Sequence, residues 1–438
     1  PRYISTVDSG NLAGHLLTLR QGLLGLIDAP VLAPQTFAGL AHTLGVLRGL
    51  HDVQDHPDRA WQVAIDAFES RLAVALATPP DTVRDALATV DALAALALPL
   101  AALSPPVDTY DPLEDAPAHW SARLIDACEQ ARQALAACLP ASTAPSGSLT
   151  AEDGVPSLRA LCAPGIAADV RARACAQVHE LERLAHVAGQ FSLMEYGFLY
   201  DRARHLLSIG YDVDNRRLDQ GHYDLLASEA RLCSFVAVAQ GQLPQDTWFA
   251  LGRLLTEVDG DATLLSWSGS MFEYLMPQLV MPSYPDTLLD QTARHAVQAQ
   301  IAYGRQHDVP WGISESGYNT VDTRMNYQYR AFGVPGLGLK RGLGEDLVIA
   351  PYATMMALMV APEAATQNLQ RLDAAGFSGR FGLFEAIDFT PSRLPRGQTH
   401  AVVRSFMAHH QGMGFLALDH LLREQPMQKR FVADAEFQ

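Results

Sequence analysis

Up to about residue 190 this chain repeats its apolar residues at helical spacing, and beyond it helices alternate with long loops rich in Gly, Trp, Tyr and Ser. Helices are expected over Leu12 to Ile27, Pro34 to Leu50, Arg59 to Ala77, Asp81 to Leu98, Ala118 to Cys138 and Ala167 to Ala188. Pro79-Pro80 and Pro105-Pro106 break the series, and Ala141 to Ser148 reads as a loop. A chain of 438 residues exceeds one small core. The shift in pattern divides it into an N-terminal helical accessory domain, residues 1–190, and a second helical domain, residues 191–438. The second is expected to be a barrel of helices with a cleft built from its loops, such as Ser266 to Tyr274 and Pro310 to Gly338. Short β-like stretches fall around Ser208 to Val213.

Composition excludes several classes. A net charge of -16, with lysine only at Lys340 and Lys429, cannot supply the clustered cations that phosphate backbones need, so no nucleic-acid partner is expected. The five cysteines, Cys128, Cys138, Cys162, Cys175 and Cys233, include no Cys-x-x-Cys pair and read as small buried apolar residues of a reducing compartment. His51, His56, His119 and His179 are unclustered and read as surface or structural. The longest apolar run, Ala92 to Leu103, contains Pro99 and falls short of the roughly 20 residues of a membrane helix. A soluble piece without a span of its own is expected. The chain opens at Pro1 with no basic leader, which reads as a fragment of something longer.

The chemistry concentrates after residue 190. In Trp311-Gly312-Ile313-Ser314-Glu315-Ser316-Gly317-Tyr318-Asn319, small residues and aromatics place a carboxylate in an irregular, polar-lined stretch. Asn326 to Tyr329, Phe384 to Asp388 and Ala408 to Gly412 likewise join aromatics to hydrogen-bonding groups, a combination that suits a sugar cleft. A helix is expected from Tyr223 to Gln240, with Leu226, Ala230, Cys233 and Ala237 as its buried stripe. Glu229 then lies about 40° from that stripe's edge at roughly 100° per residue. It is either an ion-pair partner of Arg231 or Arg253, or an acid whose pKa burial raises.

Ordered segments of this region resemble one family. Tyr223 to Leu232, Trp267 to Pro277, Trp311 to Asn319, Tyr327 to Leu343, Gly382 to Pro391 and Ser405 to Gly412 are similar to the middle part of bacterial cyclic β-1,2-glucan synthases. So are Phe198-Leu199-Tyr200-Asp201 and Leu207 to Tyr211, and the resemblance covers roughly Phe191 to Leu422. It implies an all-α fold, an (α/α)6 glycoamylase-like toroid, that cyclizes linear β-1,2-glucan by transglycosylation with retention of anomeric configuration. It implies flanking glycosyltransferase and phosphorylase-like modules in one membrane protein at the cytoplasmic face of the inner membrane, and neither a metal nor another cofactor. By motif, Glu315 takes the place of the nucleophile and Glu229 that of the general acid/base. Retaining chemistry needs one ionised and one protonated carboxyl, held in unlike environments. Relatives of the fold are thought to pass the proton through a substrate hydroxyl, so the two carboxylates can stand farther apart than the roughly 5–5.5 Å of direct retaining catalysis. Gly317 stands where relatives more often carry Ala, which adds backbone freedom beside Glu315.

Other residues are expected at the substrate. Glu385 and Asp388 are a base, hydroxyl ligands, or partners of Arg393 or Arg380, and Glu273 hydrogen-bonds sugar or loop. Arg231, Asn319, His409, His410 and Gln411 are candidates for hydroxyl binding, the histidines lacking the further ligands that a metal needs. Trp267, Trp311, Tyr318, Tyr327 and Tyr329 are candidate sugar platforms. Gly336-Leu337-Gly338 lacks the third glycine of a dinucleotide fingerprint and is set aside. Two further functions stay open: an endo-β-1,2-glucanase, in which water takes the second step, and a noncatalytic glucan-binding module.

Overall fold

A computed structural model describes residues 2–52, 59–104, 117–140, 154–258, 260–379 and 381–437. His56, Pro105-Pro106, the Ala141 to Ser148 loop, Arg380 and the side chain of His51 lie outside the described residues. Among the described residues the chain is mostly helical, with six small sheets of two or three strands beside the helices. In chain order the helices are α1 (Thr6–Asp28), α2 (Gln35–Asp52), α3 (Arg59–Ala77), α4 (Val83–Leu103), α5 (Pro117–Ala136), α6 (Leu158–Leu161), α7 (Ala168–Ser192) and α8 (Ala230–Ala239). They continue with α9 (Asp246–Ala250), α10 (Met271–Leu275), α11 (Leu288–Gln306), α12 (Pro351–Ala357), α13 (Pro362–Ala374), α14 (Ala408–Leu422) and α15 (Pro426–Val432).

Two compact units result, one of Leu23–Ala185 and one of Pro1–Gly22 with His186–Gln438. In the Leu23–Ala185 unit the helices follow from their apolar spacing. Trp61, Ile65, Phe68, Leu72 and Ala75 form one buried stripe of α3, and Leu124, Cys128, Ala131 and Leu135 form that of α5. The two stripes share a core with Ala86, Val90, Leu93, Ala97 and Leu100 of α4. Thr82 caps α4 by accepting the Asp85 N–H at 3.1 Å. At 21 residues and running through Pro99, α4 is long and apolar enough to cross a membrane by length and composition, a test that the core helix of a helical unit also passes, and its Val90, Leu93, Ala97 and Leu100 are buried in the core shared with α3 and α5.

Two thiols also depart from expectation. Cys128, Cys138 and Cys233 are buried, whereas Cys175 is exposed and Cys162 partly so, their sulfurs 2.6 Å apart.

The other unit has its largest core between α10, α11, α12, α13 and the strands Val348–Ile349, Ala386–Asp388 and Ala401–Val403, which form one antiparallel sheet. The expected β-like stretch is the strand Gly210–Asp212, paired with Tyr3–Ser5 and Arg217–Leu218. Half of the expected Pro310 to Gly338 loop is instead an antiparallel hairpin, Ser316–Val321 with Tyr327–Arg330. Gly412 and Gly414 stand inside α14 rather than in a turn, and a Cβ on Gly414 would press on Met355 of α12 at 3.3 Å.

Candidate active site

Glu315 sits at the end of an irregular stretch that neighbouring side chains hold. Gln300 of α11 accepts from Ile313 N at 2.7 Å and donates to Ile313 O at 2.8 Å. Asn368 of α13 does the same for Trp311, at 3.1 and 2.8 Å. These amides replace the backbone partners that a helix or sheet would have supplied. Gly312 has φ 124°, and a Cβ there would meet Thr354 Oγ1 at 2.7 Å, so the bend requires glycine. The stretch therefore has a single course, which delivers Glu315 to a cavity of about 660 Å³.

Glu229 lines the same cavity. The expected Tyr223 to Gln240 helix begins only at Ala230, because Ser228 is left-handed at φ 50° and Leu225 N bonds instead to Gly252 O at 3.0 Å. Glu229 is thus the residue that opens α8, not a rim position on its side, and its carboxylate makes no capping bond. Nor is it ion-paired: Arg231 donates to the carbonyls of Glu273 and Tyr274 at 2.8 and 2.6 Å, and Arg253 to those of Trp248, Phe249 and Leu251.

The two carboxyls lie in unlike settings. Burial pushes Glu229 up to about 7, with the Ser228 hydroxyl opposing and the charge of Asp8 adding. Glu315 is also raised by burial, but the Tyr329 hydroxyl and His410 pull the other way. Tyr329 donates to Glu315 Oε1 at 2.9 Å and meets His410 Nε2 at 3.2 Å. His410 Nδ1 lies 2.9 Å from Glu385 Oε1, which also accepts from Gly317 N at 3.1 Å. Tyr352 stacks on His410 with centroids 3.7 Å apart and donates to Glu315 O at 2.9 Å. Gly317 lies in a strand without positive φ; it gives room, not freedom, since a Cβ would stand 3.4 Å from Glu385 Cγ.

Of the expected residues, Glu229, Glu315, Tyr329 and His409 line this cavity. Glu385, His410 and Gln411 line a second one of about 460 Å³, with Tyr352, Phe384 and Phe415. Several others are packed or bonded within the protein. Trp311 is 6% exposed and belongs to the core, and Tyr327 packs against that core. Glu273 accepts from Ser268 N and Oγ at 2.9 and 2.6 Å. Asp388 pairs with Arg393 at 2.7 Å and accepts from Asn319 N at 3.0 Å. Asn319 Nδ2 donates to Arg393 O, and Tyr318 lies under the guanidiniums of Arg330 and Arg393. Trp267 is exposed and lines neither cavity.

Sequence reasoning missed Asp8, Asn11 and His15 of α1, which line the cavity with the two glutamates. Their steps of three and four residues were the available signal.

Over 99% of its length the chain is 39% identical to the cyclic beta-(1,2)-glucan synthase NdvB of Rhizobium meliloti (strain 1021). The chain is similar to one part of that synthase. It spans 14% of that protein's length, and the likeness extends well beyond the Phe191 to Leu422 stretch marked by motifs. Residues 221–434, which include both glutamates, match the glycoamylase family, described as putative glucoamylase. Two structures of the endo-beta-1,2-glucanase from Talaromyces funiculosus, a mutant with beta-1,2-glucan and the enzyme with sophorose, align at 12% and 13% identity. Each alignment covers 93% of this chain and 80% of that one, with a TM-score of 0.42.

Proposed function

We propose that this chain is an anomer-retaining transglycosylase that closes linear β-1,2-glucan into a ring, as the middle part of a cyclic β-1,2-glucan synthase. The observation that carries this reading is the pair Glu229 and Glu315, which line one cavity in unlike settings, one held near 7 by burial and the other bonded to a tyrosine hydroxyl. The helices of the 221–434 region are read as those of an (α/α)6 toroid. Flanking glycosyltransferase and phosphorylase-like modules, on the cytoplasmic face of a bacterial inner membrane, complete the larger protein.

Protonated Glu229 gives its proton to the departing glycosidic oxygen, directly or through a substrate hydroxyl, while a Glu315 oxygen attacks the anomeric carbon. The C–O bond breaks and a glucosyl ester forms with inverted configuration. A hydroxyl at the non-reducing end of the same chain then attacks that carbon, passes its proton to Glu229 and releases Glu315, restoring the β configuration. Phe272, Met276, Leu279, Met413 and Leu416 make much of the wall apolar, which supports transfer to a sugar hydroxyl over transfer to water.

The test is to incubate the protein with linear β-1,2-glucan and weigh the products. Rings, each one water lighter than the linear chain of equal length, meet the proposal. Shorter linear chains assign a glucanase, and binding without conversion assigns a noncatalytic module.

A further inference from the structure

Helix α1 carries a polar face into the cavity from the start of the chain. Asp8, Asn11 and His15 share that face and line the cavity beside Glu229 and Glu315. The packing side of α1 is small and apolar. Ala13 and Leu17 are buried with Leu232 and Val236 of α8, and a Cβ on Gly10 would collide with Cys233. A Cβ on Gly14 would stand 3.1 Å from Leu232 Cδ1. Glycine thus lets α1 lie directly against the helix that Glu229 opens, which fixes the polar face with respect to that carboxyl.

Among the described residues the polar side chains on this face have no hydrogen-bond partner. Asn11 Oδ1 is buried without a hydrogen-bond donor, an arrangement that ordinarily destabilises a fold. Among the described residues the Asp8 carboxylate and the His15 ring likewise take part in no hydrogen bond or ion pair. Burial lowers the pKa of His15, so a neutral imidazole presents one donor and one acceptor, the pair that a sugar hydroxyl can meet.

We propose that this face of α1 is a wall of the sugar site, in which Asn11 and His15 take hydroxyls of the bound glucan chain and Asp8 is a positioning residue for Glu229. The inference rests on the glucan reading above. Five ionisable groups act on or feel Glu229: Asp8 from α1, Glu315 from its irregular stretch, Tyr329 from the hairpin, and Tyr223 and Cys233 from the segments beside it. Asp8 and Glu315 are the two that favour its protonated form.

The experiment compares the whole protein with its Asn11→Leu, Asn11→Ser and Asp8→Asn variants on linear β-1,2-glucan, following KM, kcat, the pH profile and the melting temperature. Asn11→Leu is expected to raise KM roughly three- to tenfold, the loss of one neutral hydrogen bond, with the melting temperature unchanged or higher. Asn11→Ser, which keeps a smaller polar group, is expected to fall between it and wild type. Asp8→Asn is expected to move the basic limb of the kcat profile to lower pH with little change in KM. Asn11 variants with wild-type KM, or with a lowered melting temperature and unchanged KM, mark a packing residue and overturn the inference, as does an unmoved basic limb in Asp8→Asn. A wild-type protein that neither binds nor converts linear β-1,2-glucan defeats the glucan reading itself, and this inference with it.

Discussion

The hydroxyl of Tyr329 donates to the carboxylate of Glu315 at 2.9 Å, and behind it His410 and Glu385 continue the chain of bonds into the protein. In the proposed mechanism this carboxylate attacks carbon, for which it needs to be ionised and aimed, and one hydroxyl would serve both needs.

Tyr329→Phe keeps the ring and removes that bond. A hydrogen bond to a charged group is worth enough to cut kcat roughly 10- to 100-fold. Because the hydroxyl opposes the effect of burial, its loss raises Glu315 further, so the acidic limb of the pH profile moves to higher pH. Steady-state rates across pH on linear glucan check both effects.

On the proposed mechanism, Glu229 trades stability for function. Its carboxyl is held at about 7 in the folded protein, above its ordinary value, so the stability linked to its proton is fully present below that ordinary value and is lost as pH rises through 7. Glu229→Gln removes the titration. Thermal melts are expected to show the variant more stable than wild type at pH 8, by something of the order of 3 kcal/mol at most, with the gap shrinking toward pH 5. Activity runs the other way and falls by about 10²- to 10⁴-fold.

Gln300→Leu tests the hold on the Trp311–Glu315 stretch. It leaves the buried Ile313 N–H without its acceptor, a loss of about 1–3 kcal/mol in unfolding free energy. Denaturant melts read that loss, and kcat falls with it because Glu315 is no longer delivered to one place.

Thiol labelling of the native protein is expected to modify Cys175 and Cys162 and to spare Cys128, Cys138 and Cys233, which lie in cores. Burial pushes Cys128, Cys138 and Cys162 alike up to about 11 and Cys233 to about 12, so exposure and not acidity separates the labelled from the spared thiols.

What the sequence discloses here depends on whether a pattern is periodic. The stripe Trp61, Ile65, Phe68, Leu72 repeats at helical spacing, and α3 spans Arg59–Ala77 as that spacing predicts. The Tyr223 to Ser228 segment has the same apolar repeat, yet a left-handed Ser228 stops the helix, and no periodicity announces a single backbone angle. The carboxylates Glu229 and Glu315 were legible as polar exceptions in apolar or small-residue surroundings, and both line the cavity. Arg231, Glu273 and Asp388 are equally polar exceptions, but they are engaged by carbonyls of α10, by the backbone of Ser268 and by Arg393, partners that only the folded chain brings near. Asp8, Asn11 and His15 were hidden for the opposite reason, since their segment reads as one more accessory helix until its packing against α8 is seen.

The division of labour between the two glutamates is tested most directly by adding azide to Glu229→Ala and Glu315→Ala proteins on a nitrophenyl β-glycoside of a short linear β-1,2-glucan, whose phenolate departs without a proton from Glu229. With Glu315 intact and no base to activate the acceptor, the account predicts that azide revives the Glu229 variant and leaves a glucosyl azide of β configuration, while the Glu315 variant yields the α anomer or nothing. Ring formation from linear β-1,2-glucan by Glu229→Ala at the wild-type rate without azide, or a β azide from Glu315→Ala, would contradict it.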